Sequence, residues 1–486
     1  MQDRRFLFDC VSTSLRAAGE SRRPGARSPA STEEARRPAR LSLPSAASHG
    51  NRSDRTDAPG DRPGSRRQFL RQSARLAGTL AVGAALSRSL HAGGSDVIRL
   101  GLVGCGGRGT GAAAQALRAD PGARLVAVAD AFQDRLEASL ANLKRQRDIA
   151  AQVAVDPDHC FTGFDGYKGV LGSDVDAVLL ATPPHFRPMH YRACVEAGKH
   201  VFAEKPVAVD APGVRSVLET NELAKQKNLC VVSGLNSRYS PELQEMIQRI
   251  HDGAIGEIVA LHAARYGAGV WVRPRQPGMT EMQYQMRNWY YFTWLSGDFN
   301  VEQFVHQLDR MAWVMGGRYP VRCYATGGRQ QRTGPEYGHI YDHFSSVHEF
   351  ENGVRLFATT RHQRGCTNER QELVFGTKGT ADLARGVITG PKAWRLERRR
   401  KRVDSHQLEQ NAFLAALRSG NYIHNGDYMA KSTMMAILER MSAYTGKSLT
   451  WEQAINSKQV LAPSAYDWDA DPPKAEVAIP GVTPFV

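Results

Sequence analysis

The chain has 486 residues, 42% of them hydrophobic and 23% charged, which is enough for two folded domains and a tail. Of the formal net charge of +14, nine units belong to residues 1–92, which hold 17 Arg and no Lys against eight acids, so the small balance left elsewhere makes no case for nucleic-acid binding. There is no run of 18 apolar residues to span a membrane, and the seven cysteines (10, 105, 160, 194, 230, 323, 366) show neither Cys-x-x-Cys nor metal-ligand spacing, which predicts no disulfide framework and no metal site.

Residues 1–60 are rich in Arg, Ser, Pro, Ala and Gly without hydrophobic periodicity, and read as disorder or as sequence upstream of the true start. Residues 61–92 carry Ser65-Arg66-Arg67-Gln68-Phe69-Leu70, then the apolar stretch Leu76–Leu86 and Leu90-His-Ala92. Paired arginines, a short weak hydrophobic region and a small residue before a cut predict a twin-arginine signal, and with it the twin-arginine translocase as partner and export in folded form to the periplasm or cell envelope.

Asp96–Val103 predicts a buried strand running into Gly104-Cys-Gly106-Gly107-Arg108-Gly109 and a helix over Thr110–Leu117. In that order the glycines have a mechanism: Gly104 makes the tight turn, Gly106 lets backbone approach a pyrophosphate, and Gly109 lets the helix pack, while the helix N-terminus supplies N–H donors. A second strand, Ala123–Ala129, ends at Asp130, whose carboxylate accepts ribose hydroxyls and repels a 2′-phosphate, favouring NAD over NADP. Strands at Val175–Ala181, Lys199–Ala203 and Leu229–Ser233, separated by helices at Met189–Ala197 and Ala211–Lys225, complete a doubly wound pattern. Thr182-Pro183-Pro184-His185 and Glu204-Lys205-Pro206 follow two of these strands, at the ends that face a ligand crevice. Pro206 fixes its own φ and restricts Lys205, so that side chain is held in one direction and is the first candidate for chemistry.

From about Ile255 strand-like segments dominate (Glu257–Arg265, Val321–Thr326, Phe344–Phe350, Val354–Thr360, Glu372–Phe375), predicting a mostly antiparallel open sheet with one face on helices and one free to pair with another subunit. A helix over Asp298–Met315 interrupts them and stops at Gly316-Gly317. Its Glu302, His306 and Asp309 fall at i, i+4 and i+7 on one face flanked by Phe304, Val305 and Leu308, which favours a cleft-facing site over a solvated stripe. The basic run Arg398-Arg-Arg-Lys-Arg402 reads as a solvated strand end, and Ser405–Arg418 and Ala430–Tyr444 as two amphipathic helices before a proline-bearing coil.

The glycine turn, Asp130, Thr-Pro-Pro-His, Glu-Lys-Pro and the His-bearing helix, in this order over about residues 96–450, resemble the Gfo/Idh/MocA family of oxidoreductases. The resemblance implies an α/β fold with an N-terminal Rossmann domain (96–235), a C-terminal α+β domain with a large, mostly antiparallel open sheet (236–450) that makes homo-oligomers, and a C-terminal extension (451–486). It implies NAD(P)-dependent chemistry on a sugar or polyol, with NAD held by Gly104, Gly106, Gly107, Arg108, Gly109, Asp130, Thr182, Pro183, His185, Glu204 and Lys205. By the same resemblance Lys205 contacts the reacting hydroxyl and His306 accepts its proton, oriented by Glu302 or Asp309; the family's inositol dehydrogenases have Asp where Glu302 stands. Arg287-Asn288-Trp289 and Ile340-Tyr341-Asp-His343 look like an exported subgroup, with Arg287, Asn288, Trp289, Tyr341 and His343 as candidate substrate contacts; Trp289 and Trp294 either stack on a sugar or fill core. Export implies a cofactor retained through many turnovers, hence a dehydrogenase, a closed redox cycle between sugars, or an NAD-dependent glycoside hydrolase acting by transient oxidation. A non-catalytic sugar sensor is the reading from another class, and the presence of both Lys205 and His306 argues against it.

Overall fold

The computed structural model describes residues 96–397 and 404–486. The expected disordered stretch, the twin-arginine segment and the basic run 398–402 lie outside the described residues.

Short apolar runs buried on both faces make the first sheet: β1 (Ile98–Val103), β2 (Ala123–Asp130), β3 (Cys160–Thr162), β4 (Ala177–Leu180), β5 (His200–Ala203) and β6 (Val231–Ser233). They are all parallel, in the order β3-β2-β1-β4-β5-β6. The order reverses between β1 and β4, so the crossovers leave in opposite directions there and open a crevice at the strands' carboxyl ends. α1 (Gly107–Ala119) begins inside the glycine turn rather than at Thr110.

A nine-stranded second sheet follows, containing β7 (Ile258–Gly267), β8 (Arg322–Gly328), β9 (His343–Glu349), β10 (Arg355–His362) and β11 (Glu369–Gly376), with four shorter strands at its edges. β7 and β10 pair in parallel; the other pairings are antiparallel. The inner face is covered by α2 (Val305–Val314), packed on β7, and by a long helix over Gly426–Thr445, packed on β8. Before that long helix, α3 (Ser405–Ser419) returns to pack on α1. Val201 of the first sheet, Leu308 of α2 and Met434 of the long helix belong to one continuous core. On the outer face Phe357, Val347 and Tyr324 stand opposite one another across three strands, with Phe357 46% and Tyr324 39% exposed. Among the described residues no helix is long and apolar enough to cross a membrane.

The expected Asp298–Met315 helix is broken. Gly297 ends the preceding turn in the left-handed region, Asp298 holds φ +82°, and Asn300–Phe304 form a π-turn before α2 begins.

Candidate functional site

At the first crevice Gly104 holds φ +100°, and a Cβ there would meet the Ala181 carbonyl carbon and the Thr182 nitrogen at 2.6 Å, so only glycine fits the turn. Around Gly107 nothing lies within 4 Å of an added Cβ, and at Gly106 only an Arg135 nitrogen does, at 3.9 Å. That open ground sits before the first turn of α1, whose N–H groups no side chain caps. Asp130 Oδ2 accepts from Cys105 N (2.7 Å) and Oδ1 from Phe132 N (2.9 Å); burial raises the carboxyl's pKa and these bonds oppose the rise. The glycines, Asp130, Arg135, Thr182, Pro183 and Trp289 line a cavity of about 410 Å³. A bare helix N-terminus beside a concavity, with a carboxylate one strand over, fits a dinucleotide: pyrophosphate on Gly106 and Gly107, adenosine ribose at Asp130.

His185 is turned away from that cavity. Its ring shares a hydrogen bond with the Tyr466 hydroxyl (2.8 Å) and meets Trp294 edge-on, and burial lowers its pKa to about 4. The C-terminal extension thus covers this flank, and Trp468 packs at 4.5 Å on Phe164 and 5.1 Å on Phe132, both wall residues of the cavity.

β5 delivers Glu204 and, through a cis peptide, Lys205-Pro206. Glu204 is paired with Arg108 of the glycine turn at 2.7 Å. Lys205 Nζ donates to the Glu302 carbonyl (2.6 Å) and to its Oε1 (2.8 Å), so the π-turn holds the ammonium by main chain and side chain together. His306 lies one turn on. Burial, then the positive charges of Lys205, Arg310 and Arg265, push its pKa well below the usual imidazole value, leaving it neutral and able to accept a proton. Its Nδ1 has no hydrogen-bond partner among the described residues. His306 opens on a second cavity of about 430 Å³, lined also by Arg265, Arg310, Arg370, Glu372 and His406.

The structure separates several residues that the sequence grouped. Asp309 leaves the stripe: it is buried against Arg238, which donates to it at 2.8 and 3.1 Å, and against Ser432 (2.8 Å). His306 and Asp309 are three residues apart within α2, about 60° round the helix, and that offset carries Asp309 to Arg238 and Ser432 while His306 lines the cavity. Arg287 lies over Phe132 and pairs with Asp134 on the nucleotide side. Asn288 is buried and accepts from Arg273 N while donating to the Glu336 carbonyl. Tyr341 is buried and donates to the Ala478 carbonyl, and His343 pairs with Asp342 at 2.8 Å. None of these four lines the His306 cavity, and Trp289 lines the nucleotide cavity beside Trp271. Trp294 is core, its indole donating to Gln285.

Sequence reasoning passed over Arg265 and Arg370, although a signal was there. Arg265 continues the alternation of buried Leu261 and Ala263, and Arg370 that of buried Glu372 and Val374, so both point to the core side.

A Rossmann sheet with a dinucleotide cavity and a lysine at the end of β5, joined to an open sheet whose covering helix α2 carries an imidazole, defines a two-domain nucleotide-dependent oxidoreductase fold. The chain belongs to the GFO/IDH/MocA family: the "Oxidoreductase family, NAD-binding Rossmann fold" matches residues 98–235 and the "GFO/IDH/MocA C-terminal domain" residues 243–382. Among its relatives, "Inositol 2-dehydrogenase 4" of Saccharopolyspora erythraea is 32% identical over 219 residues, 45% of this chain and 54% of that protein. "Inositol 2-dehydrogenase" of Rhizobium meliloti is 27% identical over 282 residues, 58% of this chain and 74% of that protein. The chain therefore spans about half the length of the first of these relatives and about three quarters of the second. The fold is shared with scyllo-inositol dehydrogenase from Lactobacillus casei, solved with NAD(H) and scyllo-inositol, at TM-score 0.56 and 19% identity over 73% of this chain and 99% of that one. It is also shared with aldose-aldose oxidoreductase from Caulobacter crescentus, at TM-score 0.57 and 18% identity over 73% and 99%.

Proposed function

We propose that the protein interconverts a sugar or polyol hydroxyl and its carbonyl, using a nicotinamide dinucleotide held at the glycine turn. The observation that carries this reading is the nearness of Lys205, held by Glu302 at the end of β5, to a buried His306 one turn further on, whose pKa the Lys205 charge helps to lower and which opens on the second cavity. His306 takes the hydroxyl proton, and the Lys205 ammonium offsets the negative charge that develops on the same oxygen. The dinucleotide, when bound, supplies the hydride acceptor; the chain supplies orientation and electrostatics. The inositol dehydrogenases among its relatives support a polyol or sugar as substrate.

Asp130 supports NAD, although Arg135 in the same cavity counters part of its charge. The aromatic cover of Trp468 on Phe132 and Phe164 supports a cofactor that stays bound, as an exported enzyme needs. The half-exposed row of Phe357, Val347 and Tyr324 supports association of copies through the outer face of the sheet.

The test is His306→Ala. Turnover should fall by about 10²–10⁴, the range for a positioned general base, with dinucleotide affinity nearly intact. Combined with Lys205→Ala the loss should be less than the product of the single losses, since both serve one transition state. Full single-turnover reduction of bound NAD by His306→Ala would place the base elsewhere.

A further inference from the structure

Arg265 and Arg370 stand directly opposite each other on β7 and β11, both on the core-facing side, and both line the His306 cavity. Like charges directly across a pair of strands repel and are destabilising unless something offsets them. A third guanidinium, Arg310, enters the same cavity from α2. The acid beside them, Glu372, is fully buried and already shared: it accepts from Arg310, from Arg370 (2.9 Å) and from Gln307 (3.2 Å). Glu372 therefore accepts from two of the three arginines. The Arg265 guanidinium has no hydrogen bond or ion pair among the described residues, and its pKa is lowered, first by burial and then by the nearby Arg370 and Arg310, with Tyr290 and the Glu302 charge opposing the shift. The terminal nitrogens of Arg370 have no partner among the described residues, with 54% of its side chain exposed. Around this charge the lining is polar and suited to hydroxyls: Asn236, Ser240 and Ser405, with His306 and His406. Glu242, which lines the same cavity, accepts from Ser240.

From this juxtaposition we infer that the cavity takes an anionic sugar, a hexuronate or a sugar phosphate, whose charged group seats on Arg265 and Arg370 while a hydroxyl is presented to His306. The guanidinium fork matches a carboxylate or a phosphate with two parallel N–H···O bonds, and the guest supplies the counter-charge that the strands lack. The inference rests on the reading of this cavity as the oxidation site, and its test is a binding measurement so that the two can fail separately.

Full-length protein holding its dinucleotide is titrated calorimetrically at low salt with sodium D-glucuronate, D-glucose 6-phosphate, D-glucose and myo-inositol, and turnover is followed by NADH absorbance with the same four. At least one anion should bind about 10- to 100-fold more tightly than D-glucose, the range for a charge-assisted hydrogen-bonded contact. The stronger anion distinguishes carboxylate from phosphate recognition. Arg265→Gln should bring the anion-to-glucose ratio close to one, and Arg265→Lys should retain part of it. Dinucleotide affinity, read at the other cavity, reports whether each variant is folded. Equal or tighter binding of the neutral sugars, or a ratio that Arg265→Gln leaves unchanged, overturns the inference. Tight anion binding with no reduction of NAD by any of the four would uphold the inference while removing the assignment of oxidation to these substrates.

Discussion

Lowering the pH from 7.5 to 5 should destabilise the protein through histidines buried in their neutral form; besides His185 and His306, three show the scale. His190, His339 and His362 are 4–6% exposed, and burial lowers their pKa values to about 3, about 4 and about 3. Each is tied to its neutral form by its surroundings: at His362, for instance, Nδ1 accepts from Arg332 at 2.8 Å, which a proton on that nitrogen would abolish. A folded pKa below the unfolded value means that the unfolded chain binds more protons between the two. Stability is then fully present above about pH 6.5 and lost as the pH falls below it. At pH 5, still above all three folded values, each histidine costs about 2 kcal/mol, or about 6 kcal/mol together. Asp298 works the other way: burial raises its pKa to about 6, so its protonation returns about 1.4 kcal/mol at pH 5. The net loss is a large part of an ordinary folding free energy. Urea unfolding of the full chain at pH 7.5, 6.5, 5.5 and 5 measures it, and His362→Gln should reduce the loss at pH 5 by about 2 kcal/mol. A midpoint that stays constant across this window would refute the reasoning.

NAD should bind more tightly than NADP by about 5- to 150-fold, and Asp130→Ser should narrow that ratio; tighter NADP binding in the parent protein is the opposing result. Phe357→Lys, placed in the middle of the exposed apolar row, should shift the protein towards monomer in sedimentation equilibrium, whereas an unchanged mass would point to a different association surface. Replacing Arg66 and Arg67 by Lys should leave precursor in the cytoplasm; export at the parent rate would mean that the arginine pair is not a signal.

The Rossmann half was readable because each motif carries its local cause. Gly104 needs positive φ, β2 ends in an acid, and Pro206 fixes Lys205, all within a few residues of sequence. The second half was readable as a sheet, yet its site was not, because there function depends on which strands become neighbours. Arg265 and Arg370 are far apart in sequence and form a pair only through the register of β7 and β11. Helical periodicity groups Asp309 with the site, but its partners Arg238 and Ser432 come from distant parts of the chain and hold it away from the cavity, which no local signal shows. The aromatic cluster Arg287–Trp294 was informative about packing, and its arginine serves the nucleotide flank.

The same charges that keep His306 neutral also weaken it as a base, since a lowered pKa lowers the driving force for taking a proton. On the proposed reading Lys205 is needed to offset the developing alkoxide, but Arg265, which has no ion pair among the described residues, need not remain uncompensated during the reaction. An anion seated on Arg265 removes part of the positive potential at the imidazole and raises its pKa towards the working range, at the moment when substrate is present. In the free enzyme His306 is kept unprotonated by burial first and by the neighbouring cations second, and on the proposed reading a bound anion would offset part of the second contribution. A neutral polyol would bring no such offset, so the arginine pair on β7 and β11 would act on rate as well as on affinity.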